Sequence, residues 1–256
     1  MKKLILTAAI ASSCGFNAYA ADSIDISVIG TISPAACVPL AAGGGVIDYG
    51  FISPSQLAET GPTVLEAKTL GFSIACSADI NVAVRGVSNR PSTTTDIKSN
   101  EGPTGGAVVT DELIAAGLGK NLPLGLPDIT IPTVSGLGKS SNGQNIGGYT
   151  LTLPFTTVSL NGEPAAAKFY TISSASPTAA TEWQRNTSIA KNGDALVSDS
   201  SAYYSYSTQK DDVRPEPFKE LTGTLVIQAY VTDKSNLDLS QPVNMDGSTT
   251  IELYYF

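Results

Sequence analysis

The 256-residue sequence contains no histidine, and this limits the chemistry that its side chains can do. Serine–histidine–aspartate and cysteine–histidine catalysis, the usual zinc and copper ligand sets and histidine-based pH switching all need that residue. The sequence therefore predicts no catalytic histidine site and no histidine-based metal centre.

The acidic residues offer the other route to catalysis. Asp111 and Glu112 are adjacent, as are Asp211 and Asp212, so each pair would point to opposite faces of a strand or be solvated in a loop. A glycosidase needs two carboxylates brought together in a cleft, and no recognisable motif indicates that here. With only 15% of residues charged, we predict a protein that is not an enzyme and holds no cofactor or metal.

Two further features of the sequence could bind a ligand, but a purely structural role explains each of them more simply. The glycines at 43–45 do not follow a strand and open a helix, as a phosphate-binding loop would, so they predict a flexible loop. Trp183 and the stretch SAYYSYS at 201–207 could stack on sugars. The tyrosines alternate with small polar residues as in an ordinary strand, so we favour structural packing.

The first twenty residues predict a secretory signal peptide and hence export. Lys2 and Lys3 precede the apolar run Leu4–Ile10, and Ala18–Ala20 has the small-x-small pattern of a cleavage site. A lipoprotein site at Cys14 is an alternative, although the preceding residues lack the usual leucine. Losing both lysines would lower the formal net charge of −8 by a further two. So acidic a chain is not expected to bind nucleic acid or anionic lipid headgroups.

Two cysteines remain after the predicted cleavage, Cys37 and Cys76. Two thiols in an exported protein are expected to bond to each other. We therefore predict a structural disulfide.

Residues 21–36 form a segment whose pattern is that of a long strand buried on one face. Its apolar face consists of alternate residues, namely Ile24, Ile26, Val28, Gly30 and Ile32. The eleven residues from Ser23 to Ser33 would span roughly 36 Å. Because no hairpin signal returns this segment onto a neighbour, its partner is expected to be another molecule.

The rest of the chain, 37–256, is predicted to be one all-β domain. Period-two patterns predict strands at Val46–Phe51, Leu65–Cys76, Ile80–Val87, Thr150–Leu160, Ala167–Ser173, Leu221–Thr232 and Thr249–Phe256. Pro154 is expected on an edge strand or at a bulge. Asp111–Gly117 predicts one or two helical turns capped by Thr110 or Asp111. Residues 91–217 as a whole predict an enlarged, irregular and loop-rich middle.

Both ends of the chain resemble the subunits of chaperone–usher pili of Gram-negative bacteria. The resemblance rests on the segment from Ala21 to Cys37 with Gly30 seven positions before the cysteine, on YGFISPSQL at 49–57, and on a final strand with penultimate Tyr255 after Ile251 and Leu253. It covers about residues 21–90 and 218–256. The longer middle is closer to the large fimbrial-like proteins of that group.

The resemblance implies an incomplete immunoglobulin-like sandwich whose missing strand leaves a hydrophobic groove. A periplasmic chaperone would donate a strand beside Ile251, Leu253 and Tyr255 and anchor the terminal carboxylate of Phe256. At the outer-membrane usher, the extension of an incoming subunit would replace the chaperone strand, with Gly30 at a shallow part of the groove. The implied function is a structural or minor subunit of a fimbrium at the cell surface, linked to neighbouring subunits by donor-strand exchange.

Two other functions remain open at this stage. The long middle could carry a surface that binds a host glycan or protein receptor, as in a fimbrial adhesin. The terminal aromatic residues Tyr254 and Phe256 would also suit an outer-membrane β-barrel, although the glycine- and proline-rich middle interrupts the alternation that such a barrel needs.

Overall fold

Two antiparallel β-sheets face each other around a common core, in the open, sandwich-like arrangement of an all-β protein. The computed structural model describes residues 36–177, 183–187, 193–200, 202–211 and 213–255. Within these ranges the helices are few and short, and none is long and apolar enough to cross a membrane.

The strands are numbered in chain order. They are β1 (Cys37–Ala41), β2 (Thr63–Val64), β3 (Lys68–Ile80), β4 (Val82–Ser88), β5 (Ala107–Val108), β6 (Thr133–Gly136), β7 (Gly147–Thr152), β8 (Ser159–Leu160), β9 (Glu163–Pro164), β10 (Tyr170–Ser174), β11 (Gln184–Arg185), β12 (Tyr203–Ser207), β13 (Phe218–Val231) and β14 (Thr249–Tyr255). The first sheet has the order β1-β3-β13-β7-β6-β5, with β2, β8 and β9 attached through β13. The second has the order β11-β10-β12-β4-β14.

In the described part of the chain, the helices and 3-10 turns are three to five residues long. The α-helices are α1 (Asp111–Ala115) and α2 (Ala165–Lys168), and 3-10 turns occur at Ala42–Gly45, Pro54–Gln56, Pro123–Gly125, Phe155–Thr157 and Lys234–Asn236. The short helix predicted after Thr110 is confirmed, because the Thr110 side chain accepts the amide of Leu113 at its start. It ends by Ala116, just before Gly117, whose φ is +111°.

The core lies between the sheets, and the period-two patterns account for its composition. From β3 it receives Phe72, Ile74 and Cys76, and from β13 Leu221 and Leu225. The second sheet contributes the inward faces of β4 and β12. Burying an apolar side chain of this size stabilises the fold by about 1.5–3 kcal/mol.

The second half of β13 is buried on both faces, which explains why it has the most continuous apolar run in the sequence. Its outer face is covered by residues from 93–134. The Gln228 side chain accepts the amide of Gly119 at 2.7 Å, and the Tyr230 hydroxyl donates to the carbonyl of Thr95 at 2.6 Å. Tyr230 also packs with Leu113 of α1. The middle of the chain therefore covers the first sheet.

The second sheet carries a smaller cluster on its outer face. Trp183 is only 4% exposed and packs with Ala83 and Ile172. Tyr203 and Tyr254 meet edge to face next to it, with ring centroids 6.0 Å apart. These aromatic side chains pack against the sheet, which is the structural reading favoured from the sequence.

Three secondary-structure predictions were wrong. Val46–Phe51 belongs to neither sheet. The strand predicted over Thr150–Leu160 is interrupted, because β7 ends at Thr152 and β8 begins at Ser159. Pro154 lies in neither strand and immediately precedes a 3-10 turn, since it lacks an N–H and fixes φ. The strand predicted to begin at Ala167 begins at Tyr170, since a helical turn occupies Ala165–Lys168.

The middle of the chain is loop-rich, but its strands form an integral part of both sheets. β7 pairs with β13 over six residues, and β10 and β12 belong to the second sheet. Because these short strands are paired with distant partners, their placement depends on the whole fold rather than on local pattern.

Candidate functional site

One side of the sandwich carries an unpaired strand edge from each sheet. β1 ends the first sheet and β14 ends the second, and among the described residues no other strand pairs with their outer edges. The two edges approach each other where the Tyr255 hydroxyl donates to the carbonyl of Cys37 at 3.3 Å. Unpaired N–H and C=O groups at such an edge can bind a further strand.

The edge strand β1 is fixed to its neighbour covalently. Cys37 lies directly opposite Cys76 in the antiparallel register with β3, and a disulfide joins the two residues. This confirms the predicted bridge. The amide of Ala36 also donates to the Ser77 hydroxyl at 3.2 Å. The bridge therefore holds β1 in place although it is paired on one side only.

The opposite edge, β14, is paired with β4 at all seven of its residues. Ile251 and Leu253 point inward and pack against the core, yet both remain half-buried. Tyr255 is 40% exposed. Inward-facing apolar residues that stay partly open to solvent are expected where a neighbouring strand is missing.

The outer face of β1 adds two exposed apolar side chains. Val38 and Leu40 are 65% and 66% exposed and lie opposite Ala75 and Ser73 of β3. Edge strands of soluble proteins more often carry charged residues, which discourage pairing with other chains. The exposed apolar residues of β1 are thus suited to an edge that another chain segment covers.

After β1 the chain continues along the same side through residues 46–52. Tyr49 reaches from this segment to β13, where its hydroxyl donates to the carbonyl of Ile227 and accepts the amide of Ala229, both at 3.2 Å. Burial raises the pKa of this phenol, so it stays protonated and able to donate. The Tyr49 hydroxyl therefore forms two hydrogen bonds with β13 that a neighbouring strand would otherwise form, near the point where β3 begins.

The opposite side of the sandwich is sealed by residues 193–199, which we call the closing segment. The amide of Leu196 donates to Leu151 of β7 at 2.9 Å, and its carbonyl accepts the amide of Gly86 of β4 at 2.7 Å. The closing segment thus links the two sheets through its backbone. On the side of β1 and β14, the described contact between the two edge strands is the Tyr255–Cys37 hydrogen bond.

The structure describes only part of the residues predicted for an added strand and its groove. The proposed extension, with Ile24, Ile26, Val28, Gly30 and Ile32, lies outside the described residues, as does Phe256. Ile251, Leu253 and Tyr255 lie together on the edge strand β14.

The described members of the two carboxylate pairs are exposed. Asp111 lies in the first turn of α1 and pairs with Lys98 at 2.9 Å, with Glu112 exposed beside it. Asp211 is exposed, and Asp212 lies outside the described residues. No group of three acidic, cysteine or histidine side chains in the described ranges could hold a metal ion.

Sequence reasoning missed Tyr49 and the closing segment. The sequence predicts a strand at Val46–Phe51. No local pattern indicates that the Tyr49 hydroxyl forms hydrogen bonds with the backbone of a distant strand. For the closing segment a weak signal exists, since Ala195, Leu196 and Val197 are apolar within an otherwise polar stretch.

Comparison with known proteins finds similarity over the length of the chain. Residues 26–150 match a family model described as "Protein of unknown function (DUF1120)". The chain is 29% identical to Protein GltF of Escherichia coli (strain K12), over 99% of this chain and 98% of that protein. It is 26% identical to Uncharacterized protein YhcF of the same organism, over 96% of this chain and 97% of that protein. The two alignments take in nearly all of the loop-rich middle as well as both ends.

Proposed function

We propose that the chain is a structural or minor subunit of a chaperone–usher fimbria, assembled by strand addition at the side where β1 and β14 end the sheets. The observation that supports this most directly is the contrast between the two sides of the sandwich. One side is closed by backbone hydrogen bonds to both sheets, and the other carries two unpaired edges with Ile251 and Leu253 half-buried between them and the core.

The occupant of this side is the extension of a second copy or of another subunit. Main-chain hydrogen bonds to an edge would supply affinity, and alternate side chains would enter the apolar trough. Each of Ile24, Ile26, Val28 and Ile32 would contribute about 1.5–3 kcal/mol when buried, against the entropy of ordering the segment. Before assembly, a periplasmic chaperone would occupy the same side.

The experiment compares two variants of the extension that differ only in the face they alter. Ile26→Asp places a charge on the apolar face, whereas Ser27→Asp places the same charge on the polar face. Purified full-length chains, freed of the signal peptide, are followed by size-exclusion chromatography with light scattering. We expect the parent chain and Ser27→Asp to form oligomers and Ile26→Asp to stay monomeric. Equal assembly of the two variants would contradict strand addition through this face.

The chaperone step is tested by co-purification from the periplasm. The intact chain is compared with a chain that lacks residues 249–256, each expressed with the chaperone of its own system. We expect a soluble one-to-one complex only with the intact chain. A full-length chain that is a stable monomer and ignores the chaperone would mean that its fold is already complete.

A further inference from the structure

The closing segment contains a buried acidic residue that the proposed function does not use. Asp194 is only 6% exposed, and its carboxylate oxygen Oδ2 accepts the amide of Phe155 at 2.8 Å. Its own carbonyl accepts the amide of Leu153, the residue that follows β7, at 3.1 Å. The carboxyl group is therefore held at the point where the closing segment meets the first sheet.

A small cavity lies beside this carboxyl group, within the core. It has a volume of about 10 Å³, and its polar lining comes from Asp194, Thr171, Tyr204 and Tyr206. A space of roughly this size accommodates one water molecule when at least two polar groups surround it.

Thr171 provides the second observation that points to a bound molecule. Its side chain is buried, at 4% exposure, and its hydroxyl Oγ1 has no hydrogen-bond partner among the described residues. A buried hydroxyl left unpaired costs about 1–3 kcal/mol, so a polar occupant of the cavity would be favoured.

We propose that the closing segment is a pH-responsive closure, in which Asp194 binds and releases the proton and one water molecule in the adjacent cavity bridges its carboxyl group to the Thr171 hydroxyl. The closure acts at the side opposite β1 and β14, so it does not depend on strand addition.

The surroundings of Asp194 determine whether the pKa of its carboxyl group is raised or lowered. Burial raises the pKa of its carboxyl group to about 6, and the hydrogen bond from the Phe155 amide offsets part of that rise. Among the described residues, the other titratable groups that line the cavity are Tyr204 and Tyr206 of β12, whose pKa values are raised mainly by burial. The cavity is also lined by Val84 of β4 and by Leu153, which follows β7, and neither side chain carries a charge. The described residues that line the cavity include no cation.

Thermodynamic linkage gives the direction in which the stability of the closing segment changes with pH. Because the folded pKa lies above the ordinary value of 3.8, the protonated form is favoured when the closing segment is in place. The extra stability is fully present below about pH 4 and is lost as the pH rises through about 6. The closing segment is therefore held most tightly in acid and opens more readily at neutral pH.

Amide hydrogen exchange of the full-length chain, followed by NMR between pH 4 and pH 8, tests the closure. The reporters are the amides of Leu196, Leu153 and Gly86, which bond to or from the closing segment. After correction for the intrinsic exchange rate, we expect their protection to fall by about 100-fold between pH 4 and pH 7, from the two-unit difference in pKa. Protection that does not change with pH in the parent chain would overturn the proposal, whatever the variants do.

Two carboxyl variants assign the proton. Asp194→Asn should make the protection of these amides independent of pH. The matched control is Asp199→Asn, which alters an exposed carboxylate of the same segment and should keep the full dependence. If both variants titrate like the parent chain, the proton binds elsewhere and the assignment to Asp194 is wrong.

Two threonine variants test the bridging water. Thr171→Val keeps the shape of the side chain but removes the hydroxyl, and it should raise the pH midpoint and speed opening at pH 7.5. Thr171→Ser keeps the hydroxyl and should leave the midpoint near that of the parent chain. If no water bridges the two groups, Thr171→Val only removes an unpaired hydroxyl, so an unchanged midpoint with equal or higher protection would overturn the bridge.

Discussion

Gly86 of β4 faces the closing segment at a point where only a hydrogen atom fits. A Cβ atom there would lie 2.6 Å from the Cγ2 of Val197 and 3.2 Å from the carbonyl of Leu196. The backbone of Leu196 is hydrogen-bonded to both sheets, so it cannot move away easily. We expect Gly86→Ala to lower the free energy of unfolding by about 1–3 kcal/mol in urea denaturation.

The matched control is a glycine in a strand of the other sheet. At Gly71 of β3 a Cβ atom would meet only the Cβ of Ala42, at an ordinary 3.6 Å. Gly71→Ala should be neutral or slightly stabilising, because alanine restricts the unfolded chain. Equal losses in the two variants would show that the effect comes from strand propensity and not from the closing segment.

Tyr49 makes a second prediction at the scale of single residues. Tyr49→Phe removes the hydroxyl that satisfies both the Ile227 carbonyl and the Ala229 amide. Unpaired buried backbone groups are costly, so we expect a loss of about 1–3 kcal/mol in the free energy of unfolding. Tyr255→Phe, whose hydroxyl meets only the exposed carbonyl of Cys37, should cost less than about 1 kcal/mol. A Tyr49→Phe variant as stable as the parent chain would contradict the role of this hydroxyl.

The sequence predicts which side chains face the core but not which distant residues they meet. Phe72 and Ile74 follow from the alternation of β3, since a half-buried strand repeats every second residue. The constraint on Gly86 arises from Leu196 and Val197, which lie more than a hundred positions away. Contacts of this kind depend on the topology of the fold, and the local periodicity of apolar residues does not predict them.

At the scale of elements, the disulfide is what retains β1 at the edge of the first sheet. It closes a separation of 39 residues, which on the chain-entropy model stabilises the fold by about 4 kcal/mol. We expect the double variant Cys37→Ala, Cys76→Ala to lose roughly this amount in urea denaturation. Amide exchange should also rise first along Cys37–Ala41, because this strand has a partner on one side only.

The control for this prediction is the parent chain under strong reductant, which should lose the same stability without any substitution. If reduction and substitution leave the amides of β1 as protected as before, hydrogen bonding to β3 alone holds the strand, and the bridge has no positioning role.

Long strands with their own alternation could be predicted, whereas short or unpaired segments could not. β3, β4, β13 and β14 were located within a few residues, since each is seven residues or longer and rich in apolar residues. Val46–Phe51 has a similar pattern but finds no ladder partner, because the chain leaves the edge of β3 after the glycine-rich turn. The closing segment lacked any strand pattern, so its position could be learned only from the fold.

At the scale of the whole molecule, the two sides of the sandwich have opposite properties. On one side, the closing segment joins the two sheets by backbone hydrogen bonds to β7 and β4. The other side keeps two free edges, with a bridge that fixes one of them and a full ladder that fixes the other. If an added strand binds here as proposed, a preformed side would need little reorganisation, which would lower the entropic cost of binding.

Gly30 gives the prediction that tests how an added strand fits this side. If the extension of a second subunit lies along the trough, Gly30 meets its shallow part, where a large side chain would clash. Gly30→Trp should therefore leave the chain folded and bound to its chaperone but block its entry into fibres, as seen by electron microscopy and by chromatography of the assembled material. Ser27→Trp puts the same bulk on the face that points away from the trough and should assemble normally. Normal fibres from Gly30→Trp would mean that this glycine meets open space, and that the extension binds in another register or not at this side.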